Sequence, residues 1–174
     1  SVSTFNADHV GALWKLTHYV AGQSVSVAFT GTATSASISC FTTWRVISHG
    51  TWTGKWRIEK STDNGSTWTM LREFTGAADF NANTYGTEDV ENNPDPFLVR
   101  LNCTSYTSGT ANVDLSSDPF YQDGIVRVKA VANGTSCTAE VLTVAASTAA
   151  TDSWCEGAWS DYRGWPSEGA FHQD

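Results

Sequence analysis

Residues 52–74, WTGKWRIEKSTDNGSTWTMLREF, predict the β-hairpin around which the rest of the fold is expected to form. Before the turn, Trp56 and Ile58 alternate with charged residues. After the turn, three apolar residues are expected to share one face of the second strand: Trp68, Met70 and Phe74. The polar segment DNGS at 63–66 separates the two runs. Period-two alternation around an Asn-Gly turn is a strong local signal for a hairpin.

The same turn carries a spaced motif with four members: Ser61, Asp63, Gly65 and Trp68. It resembles the Asp-box hairpin of sialidase-type propellers and of several unrelated β proteins. A propeller repeats its hairpin in every blade, whereas this chain has one copy. We therefore interpret the motif as a structural turn, in which the aspartate caps the turn and the tryptophan packs beneath it, rather than as the mark of a glycosidase.

Composition and charge narrow the class of protein. Of 174 residues, 40% are hydrophobic and only 16% are charged, and Thr, Ser, Gly, Val and Trp are abundant. This profile is typical of β-rich folds with hydroxyl-bearing solvent faces. A net charge of −8 argues against binding to nucleic-acid phosphates or anionic lipid. No apolar run reaches the length of a membrane-spanning helix, so no membrane insertion is predicted.

The four cysteines do not have the spacing of a metal site. Cys40, Cys103, Cys137 and Cys155 form no C-x-x-C pair and have no histidine at ligand spacing, so zinc is not predicted. A disulfide between Cys40 and Cys103 across a sandwich is one alternative. Reduced thiols packed as small core residues are the favoured one.

The order of the segments predicts a β module inserted in, or flanked by, a small β domain. A short helix or helical turn is expected at 8–18, with Asn6 or Asp8 as its N-cap. A half-buried strand follows at 24–29. Residues 31–118 are interpreted as the inserted module, an antiparallel β-sandwich of immunoglobulin-like or jelly-roll type. Its strands are predicted at 37–42, 44–49, 53–60, 67–74, 97–103 and 110–115.

The outer domain is expected to combine residues 1–30 with 119–150. Strands at 124–131 and 136–144 are predicted to pair with the strand at 24–29. The chain begins without an initiator methionine or a signal peptide, and we expect it to be a piece of a longer polypeptide.

Residues 75–96 form the longest stretch predicted to be irregular. Its clustered oxygen donors are of the type that binds calcium, with Asp89, Glu91 and Asp95 as candidate ligands. The spacing fits no EF-hand, and solvated acidic loops are common. No cofactor and no firm metal site are predicted.

A tryptophan-rich segment closes the chain at 151–174. Its aromatic members are Trp154, Trp159, Tyr162 and Trp165. Such rings either dock on the parent chain or a neighbouring subunit, or they close the core of this domain. The two readings are equally weighted.

Five segments together resemble a family of large bacteriophage virion proteins, tail components of the nozzle or tail-tube type. The segments are DHVGALW at 8–14, HGTWTGKW at 49–56, IEKSTDNGSTW at 58–68, GIVRV at 124–128 and EGAWSDYRGWP at 156–166. Members of this family carry a region like the first catalytic cysteine half-domain of ubiquitin-activating enzymes. That label refers to a fold and implies no catalytic cysteine here.

The resemblance implies a non-enzymatic structural and interaction module of a phage tail, made in the bacterial cytoplasm and located in the virion. The implied partners are other tail proteins or copies of the same chain, and host surface polysaccharide is a further expected one. The alternative function is a carbohydrate-binding module, whose candidate residues are Trp44, Trp52, Tyr85 and Tyr106. A hydrolase, or an accessory domain of a glycoside hydrolase, is a weaker alternative, because the arginines are scattered and no catalytic residue or triad motif can be assigned.

Overall fold

The computed structural model describes residues 4–76, 78–87 and 95–161, and these residues are built mainly of antiparallel strands. No α-helix occurs among them. The strands in chain order are β1 (Leu13–Val20), β2 (Ser24–Phe29), β3 (Ala33–Thr34), β4 (Ile38–Cys40), β5 (Thr43–His49), β6 (Trp52–Ser61), β7 (Thr69–Thr75), β8 (Asn83–Thr87), β9 (Phe97–Gly109), β10 (Ala111–Ser117), β11 (Phe120–Asn133), β12 (Ser136–Thr143) and β13 (Trp154–Glu156). The predicted all-β class is confirmed.

The chain divides into two compact units. The sheet unit comprises the described residues up to Val20 and from Tyr121 onward, and the sandwich unit comprises Ala21–Phe120. The sandwich unit contains two sheets, with strand orders β2-β10-β5-β8 and β3-β9-β6-β7. The sheet unit contains one sheet, with strand order β12-β11-β1-β13.

One apolar core joins the two sheets of the sandwich unit. On β10, Ala111, Val113 and Leu115 are buried while the residues between them are half-buried, which is the alternation expected of a strand with one face on a core. From the other sheet, Trp56 of β6 is fully buried and stacks on Phe74 of β7, with ring centroids 4.0 Å apart. Large aromatic rings bury more area than any other side chains and therefore dominate such a core.

The hairpin predicted at 52–74 is formed by β6 and β7, but one residue interrupts its alternation. Ile58 pairs with Arg72 and Glu59 pairs with Met70, so Leu71 is the extra residue of a β-bulge. Beyond the bulge the faces exchange. Met70 is exposed and Leu71 packs against the core. The prediction that Met70 shares the buried face of Phe74 is therefore wrong.

The sheet unit has a much smaller core. Ala12, Trp14 and Val128 are its buried hydrophobic residues among those described. Phe5 and a few half-buried side chains of β11 and β12 pack against them. Because a single sheet buries only one face, this unit leaves more apolar surface in solvent than the sandwich does.

The helix predicted at 8–18 is only partly present. A single 3-10 turn covers Ala7–His9, and the Asn6 side chain accepts a hydrogen bond from the amide of Asp8. Asn6 is thus the N-cap, as one of the two alternatives predicted. Residues 13–18 belong instead to strand β1, so the helical reading of Leu13 and Trp14 is wrong.

The predicted partner of the strand at 24–29 is also wrong. β2 pairs with β10 over Ser24–Phe29, in register with Ala111 opposite Phe29, and not with β11 or β12. Residues 21–30 therefore belong to the sandwich unit. β11 and β12 do form the expected hairpin with each other, closed at Asn133 and Gly134.

The stretch predicted to be irregular contains a strand. β8 pairs with β5, with Tyr85 opposite Arg45. Gly86 of this strand lies against the buried indole of Trp44, so closely that a Cβ there would overlap the ring. The strand thereby covers one edge of the sandwich.

Candidate interaction surfaces

The turn between β6 and β7 is held by one carboxylate. Asp63 Oδ1 accepts hydrogen bonds from Ser61 Oγ (2.7 Å) and from the Thr67 amide (2.8 Å), and Oδ2 accepts from Thr67 Oγ1 (2.6 Å). Ser61 Oγ in turn accepts from the Gly65 amide. Asn64 and Gly65 both have positive φ, within the seven-residue connection at 62–68 between the two strands.

These hydrogen bonds also lower the pKa of the Asp63 carboxyl group. The side-chain and backbone hydrogen bonds from Thr67, followed by that from Ser61, lower the pKa of Asp63 from 3.8 to about 2. At neutral pH the group is an ionised acceptor with no proton to donate. Its role in the structure is to hold the backbone of the turn.

Trp68 packs beneath the turn and connects it to a buried polar group. Its Nε1 donates to the Gly65 carbonyl oxygen (3.0 Å), and the Arg100 guanidinium lies 3.9 Å from the ring centroid. Arg100 Nε also donates to the buried carboxylate of Glu59 (2.9 Å), and Asn102 Nδ2 donates to the other oxygen (2.8 Å). All four motif residues therefore make contacts that stabilise the hairpin.

Two of the four predicted glycan-binding residues have no open ring face. Trp44 is 5% exposed and Trp52 is 3% exposed, and both belong to the sandwich core. A sugar cannot stack on a ring that is already covered by protein, so the prediction is wrong for this pair. Tyr106 is partly buried against the same core, and its hydroxyl donates to the Gly109 carbonyl oxygen.

Of the four predicted glycan-binding residues, Tyr85 is the one whose side chain is exposed. It is 75% exposed on β8 and pairs with Arg45, whose guanidinium donates to Asn83 Oδ1 (3.2 Å). The same sheet bears a shallow open cavity of about 380 Å³. Its polar lining residues are Ser26, His49, Asn112 and Asp114.

The C-terminal aromatic residues lie partly within the described chain. Trp154 is on β13, which pairs with β1, and its ring stacks on Trp14 at 4.9 Å with an interplanar angle of 17°. Trp154 and Trp159 each remain 48% exposed. Trp154 therefore contributes to the packing of its own unit. Tyr162 and Trp165 lie outside the described residues.

Strand β12 is a surface that sequence reasoning missed. It lies at the edge of the sheet, and seven of its eight residues are exposed. Val141 is 60% exposed, Leu142 46%, and Val144 just beyond the strand 71%. The sequence signal was present in the run AEVLTV at 139–144, which has a single charge. Nothing in the sequence indicated that this strand would be an edge.

A second missed surface lies on β1 and β11. The rings of Tyr19 and Tyr121 contact each other, with centroids 5.4 Å apart and an interplanar angle of 60°. Along the same face, Asp123 accepts hydrogen bonds from Thr17 Oγ1 (2.5 Å) and Lys15 Nζ (3.2 Å). Sequence reasoning missed the pair because none of its predicted strands included Tyr19 or Tyr121.

The buried histidines have structural contacts. His18 Nε2 lies 3.0 Å from the Ala149 carbonyl oxygen. In the tautomer with hydrogen on Nε2, this nitrogen donates a hydrogen bond to that carbonyl. His9 contacts the Trp14 ring and lies 3.7 Å from the Glu156 carboxylate. These contacts hold the chain around β1.

The sequence analysis raised a disulfide between two of the cysteines and a calcium site in the acidic loop. All four cysteines lie in the described residues and are free thiols. Cys40 and Cys103 are buried, as the favoured alternative predicted, whereas Cys155 is exposed, so the prediction of a core residue is wrong there. Burial raises the pKa of the Cys103 and Cys137 thiols, which opposes thiolate formation. Of the candidate calcium ligands, Asp89 and Glu91 lie outside the described residues. Asp95 belongs to no group of three metal-binding side chains within the described part.

No helix among the described residues is long and apolar enough to cross a membrane. Comparisons of the chain with protein-family models, with curated proteins and with solved structures gave no match.

Proposed function

We propose that this chain is a non-enzymatic structural and interaction module that associates with further subunits through the edge strand β12. The sequence resemblance makes a bacteriophage tail virion the expected setting. The observation that carries the proposal is a largely exposed strand at the end of a sheet, with Val141, Leu142 and the adjoining Val144 in solvent.

An edge strand presents unpaired backbone amides and carbonyls that can pair with another strand. Natural proteins usually protect long edges with lysine, proline or bulges. β12 contains neither lysine nor proline, although its pairing with β11 has a register shift at Leu142. Its one charged residue, Glu140, is engaged by Lys129 of the adjacent strand (3.5 Å). The edge therefore lacks a charge that would repel an approaching strand.

The partner that best fits this edge is a second copy of the chain. Two β12 strands paired in antiparallel fashion about Val141 place Glu140 opposite Leu142, not opposite its own charge. They also place the exposed Val141 side chain opposite its own copy. A homotypic contact of this kind is self-complementary and closes with twofold symmetry.

Light scattering across a range of protein concentrations tests the proposal. We expect reversible association of the wild-type chain, and we expect the double variant Val141→Lys/Val144→Lys to remain monomeric, because the edge would then carry repelling charges. Met70→Lys is the matched control, since Met70 is 51% exposed on a strand of the sandwich unit. A wild-type chain that is monomeric throughout, or association that the two lysines leave unchanged, would overturn the proposal.

Carbohydrate binding is the second candidate function, favoured by the exposed ring of Tyr85 beside Arg45 and Asn83. A tyrosine ring with an open face and neighbouring hydrogen-bonding groups is suited to stack on a sugar. In this reading a glycan binds at the β5–β8 face, and Tyr85→Ala abolishes binding at that face. Unchanged binding in that variant would remove the sandwich face from consideration.

A further inference from the structure

We propose that the face formed by β1 and β11 of the sheet unit is a saccharide-binding site, with Tyr19 and Tyr121 as its stacking platform and Asp123 and Lys15 as its polar contacts. The ligand class is an uncharged hexopyranose, alone or within a polysaccharide. This inference does not depend on the association through β12.

The two tyrosines are the exposed part of the site. Tyr19 is 60% exposed and Tyr121 is 68% exposed, although the two rings touch. A single exposed tyrosine is ordinary on a protein surface. Two in ring contact form a larger aromatic surface, in which the rings are tilted by 60° to each other and both remain mostly exposed.

The polar side chains lie on the same face as the tyrosines, beginning two residues away along each strand. β1 places Lys15, Thr17 and Tyr19 on one face, because alternate residues of a strand point the same way. On β11 the corresponding residues are Tyr121 and Asp123. Two residues of an antiparallel strand span about 6.8 Å, so a sugar ring on the tyrosines has its hydroxyls near the Asp123 carboxylate.

The chemistry of the four groups matches that of a sugar ring. A pyranose has an apolar face of C–H groups, which is attracted to the negative face of an aromatic ring. Its hydroxyls both donate and accept. Asp123 is an ionised acceptor and Lys15 is a donor, and hydrogen bonds to charged groups are the stronger ones.

The charges at the site favour a neutral sugar. Lys15 and Asp123 neutralise each other at 3.2 Å, Thr17 Oγ1 donates to the other carboxylate oxygen, and both charged side chains remain about half exposed to solvent. The chain has a net charge of −8, which repels anionic polysaccharides. The surroundings of the tyrosines on this face are polar, unlike the apolar core of a protein interface.

The test is a titration of the whole chain, followed by two-dimensional amide NMR, with four soluble probes: maltotetraose, cellotetraose, chitotetraose and mannotetraose. We expect at least one probe to shift the amides of β1 and β11 around Tyr19 and Tyr121. Removing either ring by Tyr19→Ala or Tyr121→Ala should raise the dissociation constant about tenfold, as loss of one stacking ring does in other ring-stacking sites.

Further variants distinguish the contribution of the tyrosine rings from that of Asp123, and binding at β1 and β11 from binding at the sandwich face that bears Tyr85. Tyr19→Phe keeps the ring and should retain affinity, while Asp123→Asn should weaken binding with the aromatic platform intact. Tyr85→Ala removes the exposed tyrosine of the sandwich unit and should leave affinity unchanged. Amide spectra away from β1 and β11 verify that each variant is folded.

Three results would overturn the inference. The first is that none of the probes shifts the amides of β1 and β11. The second is that the double variant Tyr19→Ala/Tyr121→Ala binds as the wild type does. The third is that binding is lost in Tyr85→Ala, which would move the site to the sandwich face.

Discussion

At the scale of single residues, Asp63 shows how much of the hairpin depends on one carboxylate. Its Oδ1 accepts hydrogen bonds from Ser61 and from the Thr67 amide, and its Oδ2 accepts one from the Thr67 hydroxyl. The adjacent Asn64 and Gly65 both adopt positive φ. The same bonds favour the charged form of the group, so the turn geometry and the lowered pKa have one cause.

Asp63→Asn should therefore reduce the pH dependence of stability. A carboxylate whose folded pKa is lowered stabilises the fold fully above its unfolded pKa, and this contribution is lost as the pH falls through the folded value. For Asp63 the window lies between about 3.8 and about 2. We expect thermal melts to show a lower Tm for Asp63→Asn than for the wild type at neutral pH. The difference between the two Tm values should disappear as the pH falls through this window.

Thr67→Val provides the control, because it removes one donor to Asp63 and leaves the carboxylate in place. Its effect should be to raise the folded pKa of Asp63 and so to narrow the window from its low-pH end. Parallel melting curves for the wild type and Asp63→Asn at every pH would show that the hydrogen bonds of the turn do not stabilise the charged form.

At the scale of the elements, hairpins and turns were predictable from the sequence, whereas the pairing of strands distant in the chain was not. The hairpin at 52–74 and its turn follow from alternation and from the Asn-Gly pair, both of which are properties of neighbouring residues. The bulge at Leu71 and the pairing of β2 with β10 depend on partners distant in the chain, which a single sequence does not specify.

The site predictions failed for the same reason. Trp44 and Trp52 are aromatic residues in strands, and the sequence did not show which strand faces would be covered by a second sheet. Tyr19 and Tyr121 contact each other only because β1 and β11 lie side by side. Their 102-residue separation, from position 19 to position 121, hid that contact from a reading along the chain.

Gly86 gives the element-scale prediction. A methyl group at this position of β8 would overlap the indole of Trp44, which is 5% exposed and has no room to move. Overpacking of this kind costs about 1–3 kcal/mol. We expect Gly86→Ala to lower the free energy of unfolding in denaturant by that amount.

Gly31→Ala is the matched control, since no atom lies within 4 Å of its added Cβ. The control should be close to neutral. Equal stabilities for the two variants would show that β8 does not pack tightly on Trp44.

At the scale of the whole molecule, the chain has two units with separate cores. The sandwich unit centres on Trp56 and its neighbours in two sheets, and the sheet unit on Trp14 and Val128. Their different core sizes imply different stabilities, because stabilisation by burial increases with the apolar area removed from water.

We expect two unfolding transitions in scanning calorimetry of the full chain. Trp56→Ala should lower only the transition of the sandwich unit, and Trp14→Ala only that of the sheet unit. Each loss of a buried tryptophan costs about 3–5 kcal/mol, enough to separate the transitions clearly. A single transition that moves with both variants would contradict the division into two cooperative units.

The measurement that tests association through β12 most directly is hydrogen exchange of its backbone amides at low and high protein concentration. If Ser136–Thr143 pairs with a second copy, exchange of its outward-facing amides slows as concentration rises, while the amides of the β6–β7 turn exchange at an unchanged rate. Exchange of the β12 amides that is fast and independent of concentration would contradict the account.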